Sequence, residues 1–290
     1  MKTSFIRKMT ALIVACLLAF TVCGVSLTEE YSAQTMRLTH YEGNVEILDS
    51  SGEPRFVMEN VRFASGEAIR TDVESFASVS LDATKIVTMD QLTHVEFTKE
   101  GGRIVMKLKD GSMLLDVQKK LDKTETLDIE TSTMSIGIRG TIVTVSDFPV
   151  DQEPESVSAS NADAMNEVLI TDVIGTVHGR RSVLCVLEGV ATLTYRDTDG
   201  VEHTLQVKAG EKAVLSDRLG DGQADEPTGT EELYPEDLGD FVVKQVENNP
   251  TLKDRIDTAT DVLTRSKPLH KIVTNEPATL LPGTFGTTMP

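Results

Sequence analysis

The sequence predicts an all-β protein: a solenoid-like or stacked meander β domain, with two short C-terminal helices and an N-terminal apolar segment. Three observations carry this. Between residues 36 and 145, apolar and polar residues alternate in many short runs, the period of two that turns one set inward and the other to water. Gly, Asp, Asn and Ser punctuate these runs at close spacing. A helical apolar period appears only late, in residues 235–265.

Lys2, Arg7 and Lys8 precede an uncharged run over residues 9–28, and the first acidic residue is Glu29. This is the layout of a signal peptide, and the run is also close to the length of a spanning helix. Residues 1–28 are therefore read as a signal peptide cleaved after Gly24 or Ser26, or as a membrane anchor. Ile13-Val14-Ala15-Cys16 gives a third reading, a lipoprotein box. In each case the positive flank stays inside. The body is expected to be extracytoplasmic, either secreted or tethered to the cell membrane.

The formal net charge is -18, and removing those three basic residues takes it to -21. Such a surface repels nucleic acid and anionic head groups, so neither is an expected partner, and membrane contact is expected only through the N-terminal segment. Tryptophan is absent and aromatic residues make up 4% of the chain, so the core must rest on Val, Ile, Leu and Met. Cys16 and Cys23 lie in the apolar run, leaving Cys185 alone in the exported part. It alternates with Val183 and Leu187 and is read as a buried, inert thiol.

Candidate strands are 44–48, 67–70, 76–81, 85–89, 94–98, 103–109 and 112–117, with turns at 49–52, 82–84, 100–102 and at Asp110-Gly111. Residues 129–145 (IETSTMSIGIRGTIVTV) then read as strand, tight corner, strand, hinged on Arg139-Gly140-Thr141. Glycine there permits a positive φ or a close backbone approach. Arg139 is read as a guanidinium that hydrogen-bonds turn carbonyls, with an anion or partner contact as the alternative. An internal similarity links Glu42-Gly43 and Gly66-Glu67 to Glu188-Gly189 and Gly210-Glu211, which suggests a second copy of the opening hairpin unit.

Glu42-Gly43-Asn44-Val45, Gly66-Glu67-Ala68-Ile69-Arg70-Thr71, Ala77-Ser78-Val79-Ser80-Leu81, Leu108-Lys109-Asp110-Gly111-Ser112-Met113 and Arg139-Gly140-Thr141 follow one another in an order that resembles the FecR domain. The resemblance covers roughly residues 36–145 and marks Gly66, Gly111, Arg139, Gly140 and Thr141 as structural motif positions. It implies a stacked β architecture and a non-enzymatic extracytoplasmic role in envelope signalling. Only Met1 to Lys8 precede the apolar run, too few for the sigma-binding segment of the named regulators, so another membrane protein would have to carry any message inward.

The remaining organisation is an insertion loop at 147–181, with a short helix around 161–173, a β extension at 182–216 on the same domain, and an acidic loop at 217–234. Two helices follow at 235–265, then a disordered tail at 266–290. Leu238, Phe241, Val242, Gln245 and Val246 form the stripe of the first helix. Thr251 with Asp254 resembles the cap of the second, which carries Leu252, Ile256, Ala259 and Leu263. Core docking is the commoner fate of such stripes, but Leu238, Phe241, Val242 and Val246 are also the candidate partner contacts.

No catalytic, cofactor or metal site is expected. The five histidines lack metal-ligand spacing, and no nucleophile motif is present. Asp217, Asp221, Gly222 and Asp225 fit part of a calcium loop, but Leu219 and Thr228 stand where oxygen ligands belong, so calcium is not expected. The expected function is an exported FecR-like binding or regulatory module meeting an envelope or membrane protein. The alternative is a structural or adhesive envelope protein that binds wall polysaccharide.

Overall fold

The computed structural model describes residues 36–150, 179–217, 220–225 and 229–266. The apolar N-terminal run, the helix expected near 161–173 and the tail from 267 onward lie outside these residues. Among the described residues, seventeen strands, numbered in chain order, build two hydrogen-bonded layers that share one strand. Layer A runs, in spatial order, β4 (Val61–Arg62), β1 (Arg37–Glu42), β6 (Phe76–Ser80), β7 (Lys85–Met89), the second half of β9 (Arg103–Val117), β12 (Ile142–Val150), β13 (Gly179–Glu188), β16 (Glu211–Asp217) and β17 (Glu231–Glu232). Layer B runs β3 (Pro54–Arg55), β2 (Val45–Leu48), β5 (Glu67–Thr71), β8 (His94–Glu100), the first half of β9, β10 (Thr126–Glu130), β11 (Met134–Ile138), β14 (Val190–Arg196) and β15 (Glu202–Lys208). All pairings are antiparallel except β9 with β10.

The two layers close one core. Ile47, Ile69, Val95, Phe97, Met106, Ile129, Ile136 and Leu193 from layer B meet Val79, Val87, Met113, Leu115, Val143, Val145, Leu184 and Leu215 from layer A. Residues before and after the 151–178 segment contribute to the same cluster, so the β extension shares this core.

The expected all-β class and the two C-terminal helices are present; in place of a solenoid-like or simple meander stack, the chain repeatedly leaves one layer for the other, with left-handed glycines at six of the crossings, Gly43, Gly66, Gly111, Gly140, Gly189 and Gly210. The expected turn at Asp110-Gly111 is the clearest departure from the sequence reading. There β9 continues unbroken, but its inward residues change from Ile104, Met106 and Leu108 to Met113, Leu115 and Val117, from even to odd numbers. Gly111 makes the change at φ +91°, where an added Cβ would stand 2.5 Å from the Thr93 Cα. A bulge, not a turn, moves the strand between layers.

The two glycine-flanked copies are alike at entry and differ at exit. Gly43 and Gly189 each lead from layer A into a layer-B hairpin, but Gly210 returns the chain to layer A while Gly66 leads into β5 of layer B.

The insertion is also shorter than 147–181, because β12 runs on to Val150 and pairs with β13 as far as Val150↔Gly179. Pro149, which suggested a loop, is tolerated because β9 stops pairing with β12 at Gly111↔Asp147 and leaves that side of the strand free.

Two helices cover the outer face of layer A. Helix α1 (Asp240–Asn248) follows a 3-10 turn (Pro235–Asp237), in which the Asp237 carboxylate accepts the Tyr234 N–H at 2.9 Å. Helix α2 (Pro250–Ala259) is capped by Asn249, whose Oδ1 accepts the Leu252 N–H at 3.1 Å, so the cap lies before the Thr251 and Asp254 pair that the sequence suggested. Leu238, Phe241, Val242, Val246, Leu252, Ile256 and Val262 pack on Leu114, Ile142, Cys185 and Leu187. Arg255 ties α2 to the layer: it ion-pairs with Asp116 and Glu188 and donates to the Val117 carbonyl at 3.1 Å. No helix among the described residues is long and apolar enough to cross a membrane.

Candidate functional site: the cleft at the Arg139 corner

The expected partner contacts Leu238, Phe241, Val242 and Val246 are not a free surface. All are buried against layer A, because β9, β12 and β13 carry apolar residues on both faces and the outer set needs a cover. Cys185 belongs to that outer set. Burial pushes its thiol up to about 11, countered in part by a hydrogen bond with Thr144.

The acidic loop holds a turn. Asp217 is buried, and its two carboxylate oxygens accept the N–H groups of Gly220 at 2.6 Å and Gly222 at 2.7 Å, the bonds of a tight Asx-type corner. Among the described residues, no three His, Cys, Asp or Glu side chains are grouped to hold a metal. A second buried carboxylate, Asp147, accepts from the hydroxyls of Ser132 at 2.9 Å and Ser182 at 3.0 Å and pairs with Arg180 at 3.1 Å. These bonds tie the 131–134 turn to β12 and β13.

Of the motif glycines, Gly66 ends the short β4 connection at φ +86° and donates its N–H to the Phe97 carbonyl at 2.8 Å. Gly140 matters more for the site, because β11 of layer B becomes β12 of layer A there. It adopts φ +97°, and an added Cβ would lie 2.9 Å from the Lys120 Cα. On the other side, a Cβ on Gly189 would meet the Gly140 carbonyl at 2.9 Å. Two layer crossings thus pack backbone against backbone, as only glycine allows.

This corner forms one wall of a cleft of about 690 Å³. Lys120, Lys123 and Arg139 line it, together with Thr126, Gly137, Thr192 and Gln206 from the outer face of layer B. All three cations are exposed, and none makes a hydrogen bond or ion pair among the described residues. The guanidinium expected to hold turn carbonyls does not do so. The corner is fixed by glycine geometry instead, which leaves Arg139 free.

The acids in the cleft are already engaged. Glu125 accepts from Lys85 at 3.2 Å and from the Asp122 N–H at 3.1 Å, and Asp128 lies 3.6 Å from Arg103. The Thr141 hydroxyl, at 1% residue exposure, has no partner among the described residues. Sequence reasoning found Arg139 and Thr141 but not Lys120 or Lys123, which reach the corner only through the fold.

The open face of layer B continues from this cleft. Across it, Glu96, Lys107, Glu130, Ser135, Thr194 and Thr204 stand in register, as do Asp128, Gly137, Thr192 and Gln206. The half from β2 to β10 is laced with ion pairs, Arg70 with Glu46 and Lys107 with Glu130 among them. The half from β11 to β15 carries hydroxyls, an amide and glycine at its middle, with the Arg196–Glu202 ion pair at one end and Lys208 at the other.

No curated protein matches the chain. Among solved structures it is similar to two crystal structures, at 1.65 and 2.50 Å, of a "putative anti-sigma factor" from Parabacteroides distasonis ATCC 8503. Each shows 11% identity and a TM-score of 0.38 over 57% of this chain and 59% of the other, so the chain spans less than two thirds of that protein's length. The family model described as FecR protein matches residues 67–163, from the first residue of β5 through the Arg139-Gly140-Thr141 corner and past the end of β12. The chain therefore carries a FecR domain over residues 67–163, with the opening strands and the helical cover lying outside the match.

Proposed function

We propose that the protein is an exported, non-enzymatic FecR-like module that binds another envelope protein on the β11–β15 half of layer B and the adjoining cleft. The carrying observation is the contrast between the two outer faces. One is sealed by the protein's own helices; the other presents, between Lys208 and the Arg196–Glu202 pair, a neutral patch of Ser135, Thr192, Thr194, Thr204 and Gln206 on a chain of net charge -18. Partners meet such a patch without desolvating charge, and interface centres are depleted in charged residues. The FecR match supports a regulatory role, and the N-terminal charge pattern supports export.

A photo-crosslinking residue placed at Thr194 in the full chain in intact cells should capture a discrete protein adduct, while one at Lys253 on α2 should not. Equal capture from both positions, or none from Thr194, would overturn the assignment of this face. Retention on purified cell wall without any protein adduct would favour the adhesive reading instead.

A further inference from the structure

We propose that the cleft at the Arg139 corner recognises an acidic peptide segment of the partner, its carboxylates received by Lys120, Lys123 and Arg139. This rests on the protein-binding reading above and deepens it by naming the chemistry of the ligand. Four observations converge. First, three cations share one cleft on a chain with 28 basic and 46 acidic residues, and all three are uncommitted. Many other basic groups on the described surface are already paired: Arg55 with Glu67, Arg70 with Glu46, Lys85 with Asp82, Lys212 with Asp237 and Arg265 with Asp261.

Second, the carboxylates that line the cleft, Glu125 and Asp128, are paired with Lys85 and Arg103, and neither forms an ion pair with these cations. Third, about 690 Å³ is more than a lone oxyanion fills and lies within the roughly 300–1,000 Å³ range of clefts that hold extended organic ligands. Fourth, the rim offers peptide-like contacts. Val190 is 42% exposed beside the cations, where an apolar side chain can rest, and Thr192 and Gln206 supply hydrogen-bonding groups. Among the described residues, no aromatic ring lines the cleft for a sugar to stack on. Thr141 is among the residues that line the cleft, and its buried hydroxyl has no hydrogen-bond partner among the described residues.

The test is fluorescence anisotropy on the full chain with a fluorescein-labelled Asp-Glu-Leu-Asp-Glu peptide. Its Asn-Gln-Leu-Asn-Gln counterpart, inorganic phosphate and polygalacturonate serve as the comparison probes. The acidic peptide should bind, and its affinity should fall as salt rises from 50 to 300 mM, because exposed charges are screened.

The variant K120S/K123S/R139S should weaken binding by about tenfold or more, summing three exposed charge contacts, whereas K244S on α1 should change it by less than about twofold. All three substituted side chains are exposed and unpaired, so the variant keeps its fold, which an unchanged thermal melt verifies. Equal binding of the neutral peptide, or an unchanged affinity in the triple variant, overturns the proposal. So does tighter binding of polygalacturonate or phosphate than of the acidic peptide, because the ligand is then a glycan or a free anion. Cross-linking from Thr194 that survives in the triple variant would show that the cleft assignment fails while the protein-binding reading stands.

Discussion

The outer faces of the two layers differ in strand chemistry and meet opposite ends. On layer A the outward positions of β9, β12 and β13 are Leu114, Ile142, Cys185 and Leu187, and two helices close over them. On layer B the outward positions of the strands at the same depth are Lys107, Asp128, Glu130, Ser135 and Gly137, and no described element covers them. A strand buried on both faces reads as a continuous apolar run, and one buried on a single face alternates. The layer with alternating strands is therefore the one left to meet something else.

Several substitutions would break or sharpen this contrast. The largest effect is expected at the junction of the layers. Gly140→Val forces a β-branched residue into φ +97° against the Lys120 backbone, and should cost more than about 3 kcal/mol through strain and overpacking together. An unshifted thermal melt would show that the corner can relax.

On the covered face, Ile256→Ala removes a fully buried side chain at the helix-sheet contact and should lower unfolding free energy by about 2–5 kcal/mol in urea titration. On the open face, Thr194→Ala should stay within about 0.5 kcal/mol of the parent. A comparable loss at both positions would mean that layer B is covered as well.

Thr141→Val should stabilise by about 1 kcal/mol, since it replaces an unpartnered buried hydroxyl with a methyl of similar shape. Destabilisation would reveal a hydrogen bond to that hydroxyl.

The smallest effect is a pH dependence at the edge of the open face. Burial, aided by the positive charges of Arg70 and Lys109, holds His94 below the usual histidine value. Its neutral form is thus favoured in the folded state, and its contribution to stability is present above the unfolded value and lost as pH falls below about 6.5. The melting temperature of the parent should drop between pH 7 and 5, and His94→Gln should flatten that drop. Identical profiles would remove His94 as the cause.

How much could be read in advance differs from element to element. The strands at 85–89 and 94–98 were legible because period-two alternation is a local property. Gly140 was legible as a corner because glycine between two β-patterned runs has few other uses. The 103–117 strand was not legible as one element, since Asp110-Gly111 has turn composition and only the opposing layer shows that it marks a bulge. In the 235–265 region the apolar stripes were plain, but whether they faced a partner or this chain's own sheet was not. That answer lay in Leu114, Ile142, Cys185 and Leu187, whose outward direction depends on the register of β9, β12 and β13.

The sequence by itself determined the β class, the two late helices, the glycine corners, the FecR motif order and the acidity of the chain, because each is written in neighbouring residues or in composition. Only the tertiary structure decided that β9 belongs to both layers, that the helices seal one face, and that Lys120 and Lys123 stand beside Arg139 in one cleft. Those facts depend on residues far apart in the chain, brought together by strand pairing and by the burial of apolar surface.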